Sequence, residues 1–266
     1  MIRDITIGQY YPADSVIHRL DPRIKLFGTI VFIVSVFFIK DIVGLLLATV
    51  ALGGVIRLSK VPLKYMLKGL RAIFVLLLFT VGLNIFLTPG EILFQLGFLK
   101  VTQEGLIMAA QMAVRLVYLI VGSTIMTLTT TPNNLTDGLE KALSPLNKLH
   151  FPVHELAMTM SIALRFIPIL TEELDKIMKA QQARCADFED GNLVKRITSL
   201  IPVLVPLFIS AVRRANDLAM AMEARCYHGS IGRTKMKPLI YTKRDYMAYF
   251  VIAIYVLVWI LIKVML

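Results

Sequence analysis

Charge is scarce in this 266-residue chain: Asp, Glu, Lys and Arg together make up 18%, against 57% hydrophobic residues. The mean hydropathy is +0.71, whereas soluble domains run near 45–50% apolar and about 25% charged. That balance excludes a soluble enzyme domain. With only Cys185 and Cys226, no disulfide framework is expected. The phosphate-cradling G-x-x-x-x-G-K-[ST] is missing, as are G-x-S-x-G, H-E-x-x-H and C-x-x-C, so ATP binding through a P-loop and the commonest hydrolytic and redox sites are not expected. His150, His154 and Glu155 come nearest to a metal site, but Pro152 interrupts the helical face that i,i+4 ligation needs. Neither a metal nor a cofactor is expected. The first twenty residues lack a continuous apolar core and a small-residue cleavage site, so no removed signal peptide is expected.

What the chain has is long uncharged runs, at 26–39, 42–56, 72–90, 116–136 and 246–262. They approach or reach the 17 to 25 residues, or about 30 Å, that a helix needs to cross a bilayer core. They do not alternate, which argues against a barrel. Asp21-Pro22 is a helix start, the carboxylate capping free N–H groups and the proline sitting where no donor is lost. The expected spans run from there to about Ile39, over 42–56, over 72–88, from about Gly105 to Thr129, and over about 246–262. The fold class is therefore an all-α membrane protein, with about five transmembrane helices and a cytoplasmic domain of two long helices and a shorter one. Expected divisions are 1–131 for the N-terminal membrane domain, 132–243 for the insert and 244–266 for the last span.

The net charge of +11 is read as membrane orientation rather than nucleic-acid binding. Lys and Arg number four in 1–25, five in 57–71 and sixteen in 129–244, whereas Lys40, Lys100 and Lys263 fall on the opposite side. The positive-inside bias then puts the N-terminus in the cytoplasm and the C-terminus outside. Residues 197–212 are uncharged but short, contain Pro202 and Pro206, and are bracketed by basic pairs, so they are expected along the inner interface rather than across the membrane. Gly105, Ala109 and Ala113, like Gly44 and Ala48, repeat at i,i+4 and suit close helix packing. Arg115 is a charge inside the fourth span, where it needs a backbone or side-chain partner, snorkels to the interface, or serves a translocation path.

The insert of about 110 residues is too long to lack structure. A helix is expected from Thr131-Pro132 to Ser144-Pro145, a second from Phe151-Pro152 to about Arg184, and a third from about Leu193 to Arg225, bent near its prolines. On the second, Leu156, Met160, Leu164, Ile167, Leu170, Leu174 and Met178 recur at spacings of three and four. On the third, Ala211, Ala215 and Ala219 form a stripe on which another helix could cross. Both long helices end on A-x-x-A-R-C, at 180–185 and 221–226. Two helices stopping on one motif suggest two similar surfaces to be met.

Several motifs together resemble the EcfT family, the transmembrane scaffold of energy-coupling factor (ECF) transporters. They are Gly8-Gln9-Tyr10-Tyr11, His18-Arg19-Leu20-Asp21-Pro22-Arg23-Ile24-Lys25-Leu26, the Thr-Thr-Pro turn at 130–132, Ala163-Leu164-Arg165-Phe166-Ile167-Pro168 and the twin arm ends. The resemblance spans essentially the whole chain. It implies two cytoplasmic ABC-type ATPases and a separate membrane-embedded S component that binds the substrate, with uptake of vitamins or related micronutrients, or of nickel and cobalt. It also implies that Ala183-Arg184-Cys185 and Ala224-Arg225-Cys226 each enter a groove on one ATPase, and that Asp21, Pro22, Arg23 and Lys25 form a motif at the membrane interface. The family usually has Ala-Arg-Gly at each arm end, and here cysteine replaces the glycine. On this reading the chain is a non-catalytic, multi-pass subunit of the cell membrane whose N-terminus and insert are cytoplasmic. The competing expectation is a membrane-embedded enzyme or self-sufficient secondary transporter using Arg115.

Overall fold

The computed structural model describes residues 10–265 apart from 40, 90, 97–98, 150, 187, 189–192, 230–235 and 237. Gly8, Gln9, His150 and the hairpin-tip Lys40 of the sequence reading lie outside the described residues. The chain divides into two units, one of residues 1–138 with 239–266 and one of residues 139–238.

In the first unit α1 (Pro22–Phe38) begins as its sequence dictates: the Asp21 carboxylate accepts from the Arg23 N–H at 2.9 Å, with Pro22 in the first turn. α2 (Ile42–Ser59) follows and stops on Lys60, which has φ 53. α3 (Leu63–Leu87) starts earlier than the apolar run, so Lys64, Lys68 and Arg71 belong to the helix rather than to a basic connection. A backbone hairpin, β1 (Ile92–Leu96) paired antiparallel with β2 (Leu99–Thr102), joins α3 to α4 (Gln103–Thr129). The sequence reading left this stretch as a connection. It is two short runs of four or five residues, and no apolar face of helical period marks it. The last helix of the unit, α8, covers Lys243–Met265.

Small residues set the packing. Gly105 is buried under the end of α3: a Cβ there would lie 2.7 Å from the Thr102 hydroxyl and 3.0 Å from the Asn84 carbonyl. Ala109 and Ala48 are buried, and Gly44 packs on Ile39, as expected for helices that approach closely where lipid supplies no drive. The core is Leu52, Val61, Met66, Val121, Ile125 and Leu128, with a second cluster at Val36, Ile39 and Ala48 beside Trp259.

The ends of these helices locate one face of the unit. The Lys25 ammonium donates to the Thr129 carbonyl at 2.9 Å, so the start of α1 meets the end of α4. Asp21 N–H donates to the Asp245 carboxylate at 2.9 Å, so α1 and α8 start side by side. The chain therefore leaves this unit after α4 and re-enters it at α8 on the same face. Whatever lies between crosses a bilayer an even number of times.

The intervening segment opens with α5 (Pro132–Leu143), whose Thr131 hydroxyl accepts from the Asn134 N–H, and continues with a 3-10 helix at Ser144–Leu149. The second unit is then dominated by α6 (Val153–Ala183) and α7 (Leu193–Ala224). At 31 and 32 residues each is about 47 Å long. Among the described residues, five helical segments could cross a membrane by length and composition: Ile42–Ser59, Gln103–Thr129, Val153–Ala183, Thr198–Ala224 and Lys243–Met265. The count matches the expectation but the membership differs. α1 has 17 residues and the apolar part of α3 is Ile73–Phe86, whereas α6 and α7 qualify because each contains an 18-residue apolar window with no more than two charged residues.

Candidate coupling site at the helix tips

α6 and α7 form an antiparallel pair. Gln181 near the end of α6 contacts Pro202 near the start of α7, Glu173 contacts Ser210 and Arg214, and the Tyr227 hydroxyl just beyond α7 meets the Met158 sulfur near the start of α6. The two arginines of the repeated motif therefore lie at opposite ends of the pair. From the level of Met158 to Arg184 is 26 residues, roughly 39 Å of helix.

The tips are built alike. Cys185 has φ 64 and Cys226 has φ 53, both left-handed. Cys185 N–H donates to Gln182 O and Ala186 N–H to Gln181 O, each at 3.0 Å; Cys226 N–H donates to Glu223 O at 2.9 Å and Tyr227 N–H to Met222 O at 3.1 Å. This is the paired 5→2 and 6→1 pattern of a Schellman stop. Each cysteine takes the backbone conformation that a glycine would adopt freely, and the helix ends in the same way. Each stop leaves its arginine on the last turn. Arg184 and Arg225 are exposed, and among the described residues neither guanidinium makes a hydrogen bond or ion pair within the chain. Ala183, Ala224, Cys185 and Cys226 are exposed beside them. Two free cationic forks therefore project from two identical helix stops, which suits charge-assisted contact with acidic groups on something outside the chain.

The shaft that separates the tips is held by contacts the sequence reading missed. Pro206 has no N–H, so the Pro202 carbonyl one turn earlier loses its helical donor; the Gln181 side chain donates to that carbonyl at 3.0 Å. Glu173 receives Arg214 at 2.5 Å and the Ser210 hydroxyl at 3.3 Å. Pro206 four residues after Pro202 was the visible signal that a carbonyl would need an outside donor. The polar contacts to α6 thus leave α7 from Pro202, Ser210 and Arg214. Ala211 is half-buried, whereas Ala215 and Ala219 are exposed.

Comparison with known proteins decides the class. The CbiQ family, described as cobalt transport protein, matches residues 13–237. The energy-coupling factor transporter transmembrane protein EcfT of Clostridium kluyveri is 56% identical over 250 residues, covering 93% of both chains. The EcfT proteins of Bacillus subtilis and Lactococcus lactis are each 49% identical over 246 residues, covering 92% of this chain and 93% and 92% of theirs. This chain belongs to the CbiQ family. It is a multi-pass membrane protein of the EcfT type, a transmembrane component of an ECF transporter.

In this family member the N-terminal motif is a polar knot in the first unit. Arg23 clasps the Asp21 carboxylate at 3.0 and 2.7 Å and lies 3.8 Å over the Tyr241 ring. Lys25 donates to the carbonyls of His18 and Thr129, and Asp245 accepts from Asp21 N–H and from both the N–H and hydroxyl of Thr242. Sequence spacing could not reveal Asp245 or Thr129 as partners, since they are 224 and 104 residues away.

Arg115 meets the end of α1. Its guanidinium donates to the Ile39 carbonyl at 2.6 Å, where the last turn of α1 has an unsatisfied acceptor and a partial negative charge. His154 meets Glu140 at 3.0 Å, and among the described residues no group of three His, Cys, Asp or Glu is arranged to hold a metal.

Proposed function

We propose that this family member is the scaffold and energy coupler of an ECF-type importer. It links two cytoplasmic ATPases to a membrane-embedded, substrate-binding S component, and it hydrolyses no ATP itself. Uptake of vitamins, related micronutrients or transition-metal ions is the class of transport that fits. The observation that carries this reading is the pair of like-built tips, each with a free arginine, held roughly 39 Å apart. One partner surface would need one tip; two equal tips at opposite ends of a stiff pair suit two equal ATPases. Arg184 and Arg225 would each dock in an acidic groove, and a displacement of either ATPase would load the shaft along its length.

In this reading the N-terminus and residues 132–243 lie in the cytoplasm, with α6 and α7 in or along the inner interface and the C-terminus outside. The even number of crossings between α4 and α8 allows that arrangement, and so does the basic excess of 129–244. Charged residues such as Arg165, Lys176, Lys179 and Asp217 along α6 and α7 argue against burying both helices in lipid. Ala215 and Ala219, exposed on α7, offer close approach to an S component helix. A transport role for Arg115 has less support, because its charge is occupied by the end of α1.

The test is reconstitution with ATPases and S component. Arg184→Glu with Arg225→Glu should abolish ATPase co-purification or uptake, by a loss of several kcal/mol at a buried charge contact, while the chain still inserts and folds. Full assembly with full transport by the double variant would defeat the proposal.

A further inference from the structure

In the first unit a cavity of about 400 Å³ opens among α1, α2, α4 and α8, within the roughly 300–1,000 Å³ of small-molecule sites. Its walls are apolar, with Ile24, Phe32, Leu52, Ile125 and Val251 prominent. Thr29 and Thr129 also border it, but their hydroxyls donate to the Lys25 and Ile125 carbonyls of their own helices. Such a lining gives no hydrogen bond to a polar solute. Lys25 and Arg244 border the cavity too, and the Asp21–Asp245 contact between the starts of α1 and α8 puts both at one end. Lys25 is committed to two carbonyls. The neighbouring carboxylates are turned away, Asp21 to Arg23 and Asp245 to backbone and hydroxyl donors. Arg244 is exposed and, among the described residues, has no partner.

The far end is closed by Phe32 and by Tyr255, whose hydroxyl is 2.6 Å from that of Ser35. From Arg244 to Tyr255 is eleven residues, about 16 Å of helix, or half of a hydrocarbon core about 30 Å thick. The cavity thus begins with cations at a membrane surface and ends near the middle of the bilayer. That is the depth and polarity of one lipid of one leaflet.

We propose that the cavity is a binding site for an anionic phospholipid, with an acyl chain in the space bordered by α1, α2, α4 and α8 and the phosphate on Arg244. A lipid so placed fills the apolar space that the four helices border, and ties the membrane unit to anionic bilayers.

The test uses the full chain in micelles with phosphatidylglycerol or phosphatidylcholine carrying the same photoactivatable acyl chain. Phosphatidylglycerol adducts should concentrate on residues 247–255 at about five times the phosphatidylcholine yield, the preference one arginine near a headgroup supplies. Arg244→Gln should bring the two lipids level, and Ala248→Phe, which fills the cavity, should remove both adducts. The wild-type pattern decides even where a variant does not fold. Equal yields from the two lipids, adducts spread over the outer faces of the helices, or an undiminished preference in Arg244→Gln would overturn the assignment. So would Val251→p-benzoylphenylalanine in native membranes, if it cross-linked a protein helix and no lipid.

Discussion

Cys185 and Cys226 are the only non-glycine residues besides Lys60 that hold positive φ among the described residues. A side chain in that region costs about 1–2 kcal/mol, so the two tips carry a strain that glycine would relieve, partly offset by the greater freedom of a glycine chain when unfolded. Cys185→Gly and Cys226→Gly should each be neutral to stabilising by up to about 1 kcal/mol, and Cys→Val at either site should cost more, because β-branching disfavours that conformation most. Thermal melts of the second unit followed by circular dichroism would rank them Gly, Cys, Val. A Val variant as stable as the parent would show that the left-handed stop is absent. His18 gives a pH test at the same scale. Burial chiefly holds its imidazole below the ordinary value of 6.5, and its ring nitrogens already serve the Tyr11 carbonyl and the Ser15 hydroxyl. The folded form resists the proton that the unfolded form accepts, so its stabilising effect is full above about pH 6.5 and is lost as pH falls through and below it. The protection factor of the Tyr11 N–H, which donates to Leu128 O, should fall between pH 7 and 5.5 once the intrinsic slowing of exchange in acid is divided out, and His18→Gln should flatten that dependence.

At the scale of elements, α6 and α7 are joined by a proline defect on one and a glutamine on the other. Gln181→Ala should cost about 1 kcal/mol in the parent, where the Pro202 carbonyl has lost its helical donor. In a Pro206→Ala background the restored N–H serves that carbonyl, and the same Gln181→Ala should then cost little. The double-mutant cycle isolates that coupling; equal costs in both backgrounds would show that the contact holds nothing. Arg115 belongs to this scale too, since what it serves is the end of α1. Arg115→Met should loosen the α1–α2 turn and leave transport in the reconstituted complex largely intact. Helix starts and stops of this kind were legible in the sequence: Asp21-Pro22, Thr131-Pro132 and the arm ends lie where spacing put them. The β1–β2 hairpin was not, because four or five residues carry too little period to be told from a loop.

For the whole molecule the open alternative is whether α6 and α7 stay on one side or cross as a hairpin. Both native cysteines are exposed, so burial within the chain does not hide them from a reagent. In right-side-out cells an impermeant maleimide should label neither Cys185 nor Cys226 if residues 132–243 are cytoplasmic. Labelling of Cys185 alone would mean that the pair crosses and its first tip is outside, since the two tips lie at opposite ends of the pair.

The sequence by itself determined the membrane class, the long helices and the capped ends at Asp21-Pro22, Thr131-Pro132 and the twin arginine tips, because each of these depends on composition, local period or a few adjacent residues. The resemblance of its motifs to EcfT also reached the family without coordinates. Only the tertiary structure decided that the tips lie at opposite ends of one antiparallel pair, that Arg115 caps a neighbouring helix, that Gln181 answers Pro206, and that Asp21 meets Asp245. Those pairings join residues from 21 to 224 positions apart, and their identity depends on which helix faces which, a fact that no local pattern encodes.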